Sequence, residues 1–199
     1  MKKPVIELKN LKVAEFASEE TTCYEATVYV DGKRFCIASN QGHGGESSHD
    51  PIRPRGGYKS GEEAGAARRE LDADVHKIAL RFNPNAVKSY DDVPKDREPF
   101  KLDDYDRHMA EEVVTTWNVF EYLVDEALTI ALYSKDMKAA MSKKWIFLKT
   151  TGGDLYECKR AKGQNAETML EVLRKVNPEA VLLNALPTAE ALTVWRANG

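Results

Sequence analysis

The sequence predicts an α+β fold in which antiparallel β-hairpins pack on a long central helix, followed by a C-terminal β-β-α-β-α segment. Three observations support this class. Alternating apolar residues on both sides of Asp31-Gly32 predict a hairpin with a two-residue turn. Two long segments repeat apolar residues every three or four positions, as amphipathic helices do. The last third alternates short apolar runs with a further helical pattern.

Length and composition exclude several classes of protein. The chain has 199 residues, of which 42% are hydrophobic, and its 29 Lys and Arg nearly balance its 32 Asp and Glu. Such a chain is neither disordered nor too small to bury a core. The near balance also argues against a wholly basic nucleic-acid binder and against an acidic DNA mimic. We predict two domains, residues 1–143 and 144–199, or one continuous domain formed by both.

The N-terminal third predicts β-strands. Apolar residues alternate from Val5 to Phe16, but their phase slips near Lys9-Asn10, which indicates a bulge. Asp31-Gly32 predicts a type I′ turn, because both of its central positions need positive φ. The predicted pairs across this turn are Val30 with Lys33, Val28 with Phe35, Ala26 with Ile37, and Tyr24 with Ser39. The opposite, polar face is predicted to carry Glu25, Thr27, Tyr29, Arg34, Cys36 and Asn40.

The middle of the chain predicts a loop followed by helices. Residues 41–60 are rich in Gly, Pro and Ser and show no period, which predicts a loop of about twenty residues. Periodic apolar residues predict a helix from Glu62 to Phe82. A second, continuous helix is predicted from Asp103 or Asp104, either of which can cap it, to Leu132. A short basic helix over KDMKAAMSKK follows.

The C-terminal segment predicts β-β-α-β-α. WIFLK and LYECK predict a hairpin around TTGGD, and Asn165 begins a helix that Asn177-Pro178 ends. AVLLNAL predicts a short buried strand, and Pro187-Thr188 begins the last helix. The helix ends LRFNPNAV and LRKVNPEAV share the same pattern. That similarity indicates either a duplicated ββα unit or simply the ability of Asn-Pro to end helices.

The sequence predicts a cytoplasmic protein with no membrane contact. The first residues lack the apolar run of a signal peptide, and the most apolar window, residues 119–133, contains Glu121, Asp125 and Glu126. The three cysteines show no metal-type spacing, so we expect reduced thiols.

The Gly-rich loop contains the candidate metal ligands. His43, Glu46, His49 and Asp50 are residue types that bind zinc or another first-row divalent ion. The alternative is a mobile or partner-contacting loop. Gly42, Gly44 and Gly45 offer backbone amides for an anion, but turns that need positive φ explain them better. No motif for a nucleophile is present, so we predict no catalytic residue and no cofactor.

Two charged clusters are candidate contact regions. Basic residues with an interleaved tyrosine suit single-stranded nucleic acid or a solvated surface, and they are Arg53, Arg55, Lys59, Arg68, Arg69 and Tyr58. Acidic residues suit a basic partner or helix capping, and they are Asp91, Asp92, Asp96, Glu98, Asp103, Asp104 and Asp106.

Two stretches carry a resemblance to known proteins. EFASEETTCYEATVYVDGKRFCIASNQGHGG at residues 15–45 is one, and the other runs from KKWIFLKTTGGDLYECK to NPEAVLLNALPTAEALTVW at residues 143–195. Together they resemble small uncharacterised accessory proteins encoded by bacteriophages, prophages and other mobile elements. This resemblance implies a protein that binds and inhibits a host machine, such as a CRISPR effector complex. It implies no catalytic residue.

We therefore expect a non-enzymatic, protein-binding accessory protein, most concretely an anti-defence inhibitor. The expected partner is a host or defence-system protein complex, with nucleic acid not a direct main partner. The expected contact residues are Glu25, Tyr29, Arg34, His43, Arg53, Arg55 and Tyr58. Two alternatives remain open, a metal-dependent hydrolase or nuclease that uses the His43–Asp50 loop, and a nucleic-acid-binding accessory protein.

Overall fold

A computed structural model describes residues 2–92, 105–149 and 153–198. The strands are β1 (Ile6–Val13), β2 (Tyr24–Val30), β3 (Lys33–Asn40), β4 (Ser48–Pro51), β5 (Lys144–Leu148), β6 (Leu155–Lys159) and β7 (Val181–Leu182). The helices are α1 (Gly61–Phe82), α2 (Tyr105–Glu111), α3 (Thr116–Lys143), α4 (Ala166–Val176) and α5 (Thr188–Asn198). Two antiparallel sheets accompany these helices, with strand orders β1-β2-β3-β4 and β6-β5-β7. The α+β class is confirmed.

The chain forms two compact units, Met1–Leu128 and Thr129–Gly199, so the division falls within α3. The expected domains 1–143 and 144–199 stay a prediction. Within the described ranges, no helix is both long enough and apolar enough to cross a membrane. The three cysteines, Cys23, Cys36 and Cys158, are free.

One face of the four-stranded sheet forms the core of the first unit. Its buried residues alternate along β2 and β3, and they are Tyr24, Ala26, Val28, Val30, Cys36 and Ala38. Helices α1 and α3 contribute Leu71, Val75, Ile78, Phe120 and Val124 to the same core. Val119 packs in a second cluster with Ala79, Ala86, Met109 and Val114. The ring of Phe35 in β3 lies 5.5 Å from that of Phe120 in α3. This antiparallel sheet therefore buries one face against helices.

The β2–β3 hairpin has the predicted turn but a different register. Asp31 and Gly32 both have positive φ, 50° and 78°, as a type I′ turn requires. Tyr29 pairs with Arg34, but Val28 then pairs with Cys36, so Phe35 is the extra residue of a bulge. The predicted pairs Val28–Phe35, Ala26–Ile37 and Tyr24–Ser39 are therefore wrong. Cys36 and Thr27, predicted on the polar face, are buried as well.

The bulge has a steric reason. It lets the Phe35 ring contact Phe120 while the small residues Cys36 and Ala38 occupy the core next to Val28 and Ala26. In β1, the predicted phase slip is confirmed, because the register shifts between Lys9 and Lys12.

The segment 41–60 is not entirely a loop. Ser48–Pro51 forms β4, which pairs with β3 and places His49 opposite Ala38. Its sequence, Ser-His-Asp-Pro, lacks the apolar alternation that normally indicates a strand. Strand formation here depends on the edge that β3 offers, since β-propensity follows the neighbouring strand more than the residue type. Pro51 stands at the end of the strand, where its missing N–H is tolerated.

The predicted continuous helix from Asp103 or Asp104 to Leu132 is wrong. Helix α2 ends at Glu111 and α3 begins at Thr116, and α3 then runs to Lys143, through the basic helix predicted as separate. Between them, Val87 N–H donates to the Val114 carbonyl at 2.8 Å, and Thr116 N–H donates to that of Val87 at 2.8 Å. The break coincides with four consecutive β-branched residues, Val113 to Thr116, which lower helix propensity.

Helix α1 begins within one residue of its predicted start. The Ser60 side chain accepts the Glu63 N–H and caps the helix. The predicted caps Asp103 and Asp104 of the second helix lie outside the described residues, as do most members of the acidic cluster.

The second unit follows the predicted β-β-α-β-α order. The β5–β6 hairpin, α4 and α5 are confirmed, while residues 150–152 of the predicted TTGGD turn lie outside the described residues. In AVLLNAL only Val181–Leu182 is a strand, and Leu183–Ala185 forms a 3-10 turn. Asn184 holds this turn in place, because its amide donates to the Met141 and Lys144 carbonyls at 3.0 and 3.1 Å. The local core consists of Met137, Ile146, Leu183 and Ala191.

The two Asn-Pro helix ends adopt the same conformation. Asn83 and Asn177 are both extended C-cap residues whose N–H donates to the carbonyl four positions earlier. In both, the side-chain oxygen accepts the N–H two residues later, and the side-chain nitrogen donates to a distant backbone carbonyl. Ala86 and Ala180 are equally buried after them. The shared pattern is therefore a shared cap, whereas a duplicated ββα unit stays a prediction.

The two caps differ in burial, which gives a matched test. Asn83 is fully buried and donates to two carbonyls, those of Met109 and Glu112, at 2.9 and 2.7 Å. Asn177 donates to one exposed carbonyl, that of Lys149, at 2.7 Å. We expect Asn83→Ala to lower the free energy of unfolding by about 2–3 kcal/mol, and Asn177→Ala by about 1 kcal/mol or less. Urea denaturation measures both, and equal losses would contradict this account.

Candidate functional site

A cleft of about 340 Å³ opens between β4, α1 and α3 in the first unit. Its lining residues are Glu46, Ser47, Ser48, His49, Arg68, Trp117, Asn118 and Glu121. We call it the Glu121 cleft. Two of the residues predicted as metal ligands, Glu46 and His49, belong to it, and they come from the segment that sequence reasoning treated as a loop.

The turn at Gly42 positions the chain that leads into the cleft. The Gly42 carbonyl accepts the backbone N–H groups of Glu19, Glu20 and Thr21 at 2.9, 2.9 and 3.3 Å. Gly42 has φ +89°, and a Cβ there would lie 2.0 Å from the Ala17 carbonyl oxygen. Gly44 and Gly45 also have positive φ. The turn interpretation of these glycines is therefore confirmed.

Glu121 is the central ionisable group of the cleft. Its Oε1 accepts the Ser47 N–H at 2.5 Å, and the Ser47 hydroxyl lies 3.0 Å from that of Tyr24. Burial, together with the nearby carboxylates of Asp125 and Glu46, raises the pKa of Glu121 to about 7, although hydrogen bonds from Ser47 oppose the shift. A carboxyl with such a pKa is partly protonated at neutral pH.

His49 forms the floor of the cleft and is uncharged. Its ring is 4% exposed and lies 5.3 Å from the ring of Phe120 and 5.6 Å from that of Trp117. Burial and the nearby Arg68 guanidinium lower the pKa of His49 to about 4. Arg68 donates to the His49 carbonyl at 2.6 Å. Nε2 of His49 has no hydrogen-bond partner among the described residues.

The structure does not gather the four candidate metal ligands into one cluster. Across residues 2–92, 105–149 and 153–198, no group of three or more His, Cys, Asp or Glu is placed to hold a metal ion. His43 is exposed and lies 3.1 Å from Glu19, while His49 is buried among aromatic rings and Asp50 is exposed in β4. The ligand set His43, Glu46, His49 and Asp50 is therefore not assembled, because alternation along β4 separates the side chains of His49 and Asp50.

The predicted contact residues lie on several surfaces. Glu25 and Tyr29 belong to the sheet face opposite the core, which we call the open face and define by Glu7, Lys9, Lys12, Glu25 and Tyr29. Lys9 lies 4.2 Å from the centre of the Tyr29 ring, and Lys12 pairs with Glu25 at 3.0 Å. Arg34 pairs with Tyr29 across the β2–β3 hairpin and also lines a separate cleft of about 320 Å³ together with residues of α1.

The loop members of that set are also dispersed. His43, Arg53 and Arg55 are exposed, whereas Tyr58 is half-buried. The Tyr58 hydroxyl is shielded from solvent and has no hydrogen-bond partner within the described part of the chain. The structure thus places Glu25 and Tyr29 on one face and pairs Arg34 with Tyr29 beside it, whereas the loop members lie elsewhere.

Sequence reasoning missed Trp117, Arg68 and Glu121 as members of one site. One signal was available for Glu121, since an acidic residue stands beside the most apolar positions of α3, next to the fully buried Phe120. A carboxyl at the border of an apolar stripe is a candidate for a shifted pKa. No sequence pattern indicated that Arg68 and His49 lie opposite it.

Comparisons of the chain with protein-family models, with curated proteins and with solved structures found no match. The geometry of the described residues therefore carries the functional argument, with the resemblance to mobile-element proteins as an expectation beside it.

Two glycines of the turn give a matched test of its strain. Gly42 and Gly45 both have positive φ, but a Cβ meets the Ala17 backbone at Gly42 and open space at Gly45. We expect Gly45→Ala to cost about 1 kcal/mol from the left-handed backbone alone, and Gly42→Ala to cost clearly more, about 2–3 kcal/mol. Thermal unfolding of both variants measures the difference. A Gly42→Ala variant as stable as Gly45→Ala would contradict the close approach.

The raised pKa of Glu121 leads us to expect that the stability of the protein depends on pH. Because its pKa is raised from its ordinary value of 4.5 to about 7, the native state holds the proton more tightly than the unfolded chain. Its contribution is therefore present at pH 4.5 and is lost as the pH rises through 7. We expect Glu121→Gln, which keeps an acceptor for Ser47, to be about 1 kcal/mol more stable than the wild type at pH 8, since solvent screening reduces the effect.

At pH 5, Glu121→Gln should have the same free energy of unfolding as the wild type. Denaturation of Glu121→Gln between pH 5 and 8 checks this, with the exposed Glu70→Gln on α1 as control. If the free energy of unfolding falls equally between pH 5 and 8 in the wild type and in Glu121→Gln, Glu121 is not the cause of the pH dependence.

Proposed function

We propose that the protein is a non-enzymatic binding protein that docks on a protein partner through the open face of its four-stranded sheet. The observation that carries this proposal is the composition of that face. An aromatic residue, Tyr29, lies on this face opposite Glu7, with the Lys9 ammonium over its ring, and the Lys12–Glu25 pair lies further along the same two strands. Tyrosine is enriched in protein interfaces, where it supplies a large contact area at low entropic cost.

The charges around Tyr29 suit recognition by a complementary surface. The side chains of Lys12 and Glu25 are 77% and 58% exposed, so their pairing adds little to stability. Exposed pairs of this kind are free to exchange partners when a second surface approaches. Alternating charges then fix the orientation of the complex and reject partners with like charges opposite them.

The other predicted contact residues are Arg34 and the members of the loop. Arg34 pairs with Tyr29 and also lines the cleft beside α1, so it stays a predicted contact residue at the border of the proposed docking face. His43, Arg53 and Arg55 are exposed and remain predicted contact residues of a second group.

We further propose that the partner belongs to a host defence system, for example a CRISPR effector complex. The support is the resemblance of residues 15–45 and 143–195 to accessory proteins of mobile elements. The first of these stretches contains β2 and β3, and with them Glu25 and Tyr29 of the proposed docking face. Such an inhibitor acts in the cytoplasm and needs neither a cofactor nor direct contact with nucleic acid.

The experiment is a capture followed by a measured affinity. The tagged chain is incubated with lysates of bacteria rich in CRISPR and restriction systems, and the captured protein is identified and purified. We expect Tyr29→Ala and the charge reversal Glu25→Lys each to weaken its binding about tenfold or more, as a central interface residue does. Circular dichroism verifies that both variants fold.

Glu171→Lys is the matched control, because it reverses one exposed charge on α4 in the other unit. It should bind as the wild type does. Failure to capture any specific partner, together with measurable hydrolase activity, would overturn the proposal. So would full affinity in both open-face variants.

A further inference from the structure

We infer that the Glu121 cleft binds the guanidinium group of an arginine side chain supplied by a protein partner. This inference deepens the proposed function and rests on it for the source of the arginine. The cleft lies between β4, α1 and α3, and thus on the helical side of the sheet. It is therefore a contact separate from the open face.

The cleft is rich in hydrogen-bond acceptors. Oε1 of Glu121 accepts the Ser47 N–H. Because a carboxylate has about four acceptor positions in all, others remain for a ligand. His49 lines the same space, and its Nε2 is buried there without a hydrogen-bond partner among the described residues. The Glu46 carboxylate lines the same space. A guanidinium group, which has five N–H donors and no acceptor, matches such a surface.

The charge balance of the cleft also favours a cation. Asp125 and Glu46 both disfavour the ionised form of Glu121, and burial adds to that effect. A cation bound beside Glu121 would favour the ionised form and offset these terms. His49 is uncharged at neutral pH, because burial lowers its pKa, so it does not repel a cation.

The cation already at the cleft is engaged elsewhere. The Arg68 guanidinium donates to the His49 carbonyl at 2.6 Å, pairs with Asp72 at 3.3 Å, and lies 5.0 Å from the centre of the Trp117 ring. These contacts join Arg68 of α1 to β4 and to α3, and none of the three is to Glu121.

The dimensions of the cleft fit one side chain. A volume of about 340 Å³ lies at the lower end of ligand pockets, which span about 300–1,000 Å³. Trp117 offers an apolar wall against which the methylene groups of an arginine can lie. A phosphate or nucleotide is disfavoured, because the carboxylates of Glu46 and Glu121 would face its negative charge.

The test uses a small probe so that it does not depend on any partner. Ethylguanidinium chloride is titrated into the ¹⁵N-labelled chain at constant ionic strength, and amide shifts are followed by NMR. We expect saturable shifts at Ser47, Asn118 and the Trp117 indole N–H, with a dissociation constant in the millimolar range. Tetramethylammonium, a cation without N–H donors, should bind at least fivefold more weakly.

Variants assign the binding to the cleft. Glu121→Gln, which keeps the acceptor for Ser47, should weaken ethylguanidinium binding at least fivefold, and Glu46→Gln about twofold. Glu171→Gln on α4 should change nothing. The second cleft variant keeps the test decisive if Glu121→Gln folds poorly. Shifts that rise linearly without saturation, that tetramethylammonium reproduces, or that survive in both cleft variants would overturn the inference.

The two proposals fail separately. Loss of ethylguanidinium binding in a chain that still captures its partner through Tyr29 overturns the cleft inference alone. Ethylguanidinium binding that persists when neither open-face variant affects partner capture supports the cleft and overturns the docking face.

Discussion

The aromatic packing around Phe120 is the contact on which the first unit depends. This fully buried ring of α3 lies within 6 Å of the rings of Phe35, His49 and Trp117. It thereby joins α3 to both β3 and β4. The bulge at Phe35 and the inward direction of His49 follow from this packing. Glu121 is the next residue along the helix, so its carboxyl lies at the border of this aromatic cluster.

The position of Glu121 links stability to binding. Placing a carboxyl at the edge of an apolar cluster destabilises the free protein at neutral pH, because burial and neighbouring carboxylates favour the protonated form. The hydrogen bond from Ser47 offsets part of that cost. An external cation would offset more, so a strained group in the free chain becomes a source of affinity in a complex. The open face carries no such strain, and its exposed pairs suit orientation more than affinity.

Patterns within short stretches of sequence made about half of the candidate site residues and most of the helices and strands predictable. The positive φ of Asp31-Gly32, the slip after Lys9 and the Asn-Pro caps each depend on a few adjacent residues, and each was predicted. Glu25 and Tyr29 share a face because strands alternate. The break before α3 was missed although its signal, four β-branched residues at 113–116, was present, since apolar periodicity outweighed it.

The sequence by itself determined the α+β class, the turn, the helix ends and the polarity of the open face. Only the tertiary structure decided the register beyond Val28, the strand β4 and the assembly of the Glu121 cleft. These features depend on partners distant in sequence, such as Ser47 and Glu121, which are separated by 74 positions. A Gly- and Ser-rich segment has no period that indicates a strand. It becomes one because β3 offers an unpaired edge and the Phe120 cluster offers a place for His49.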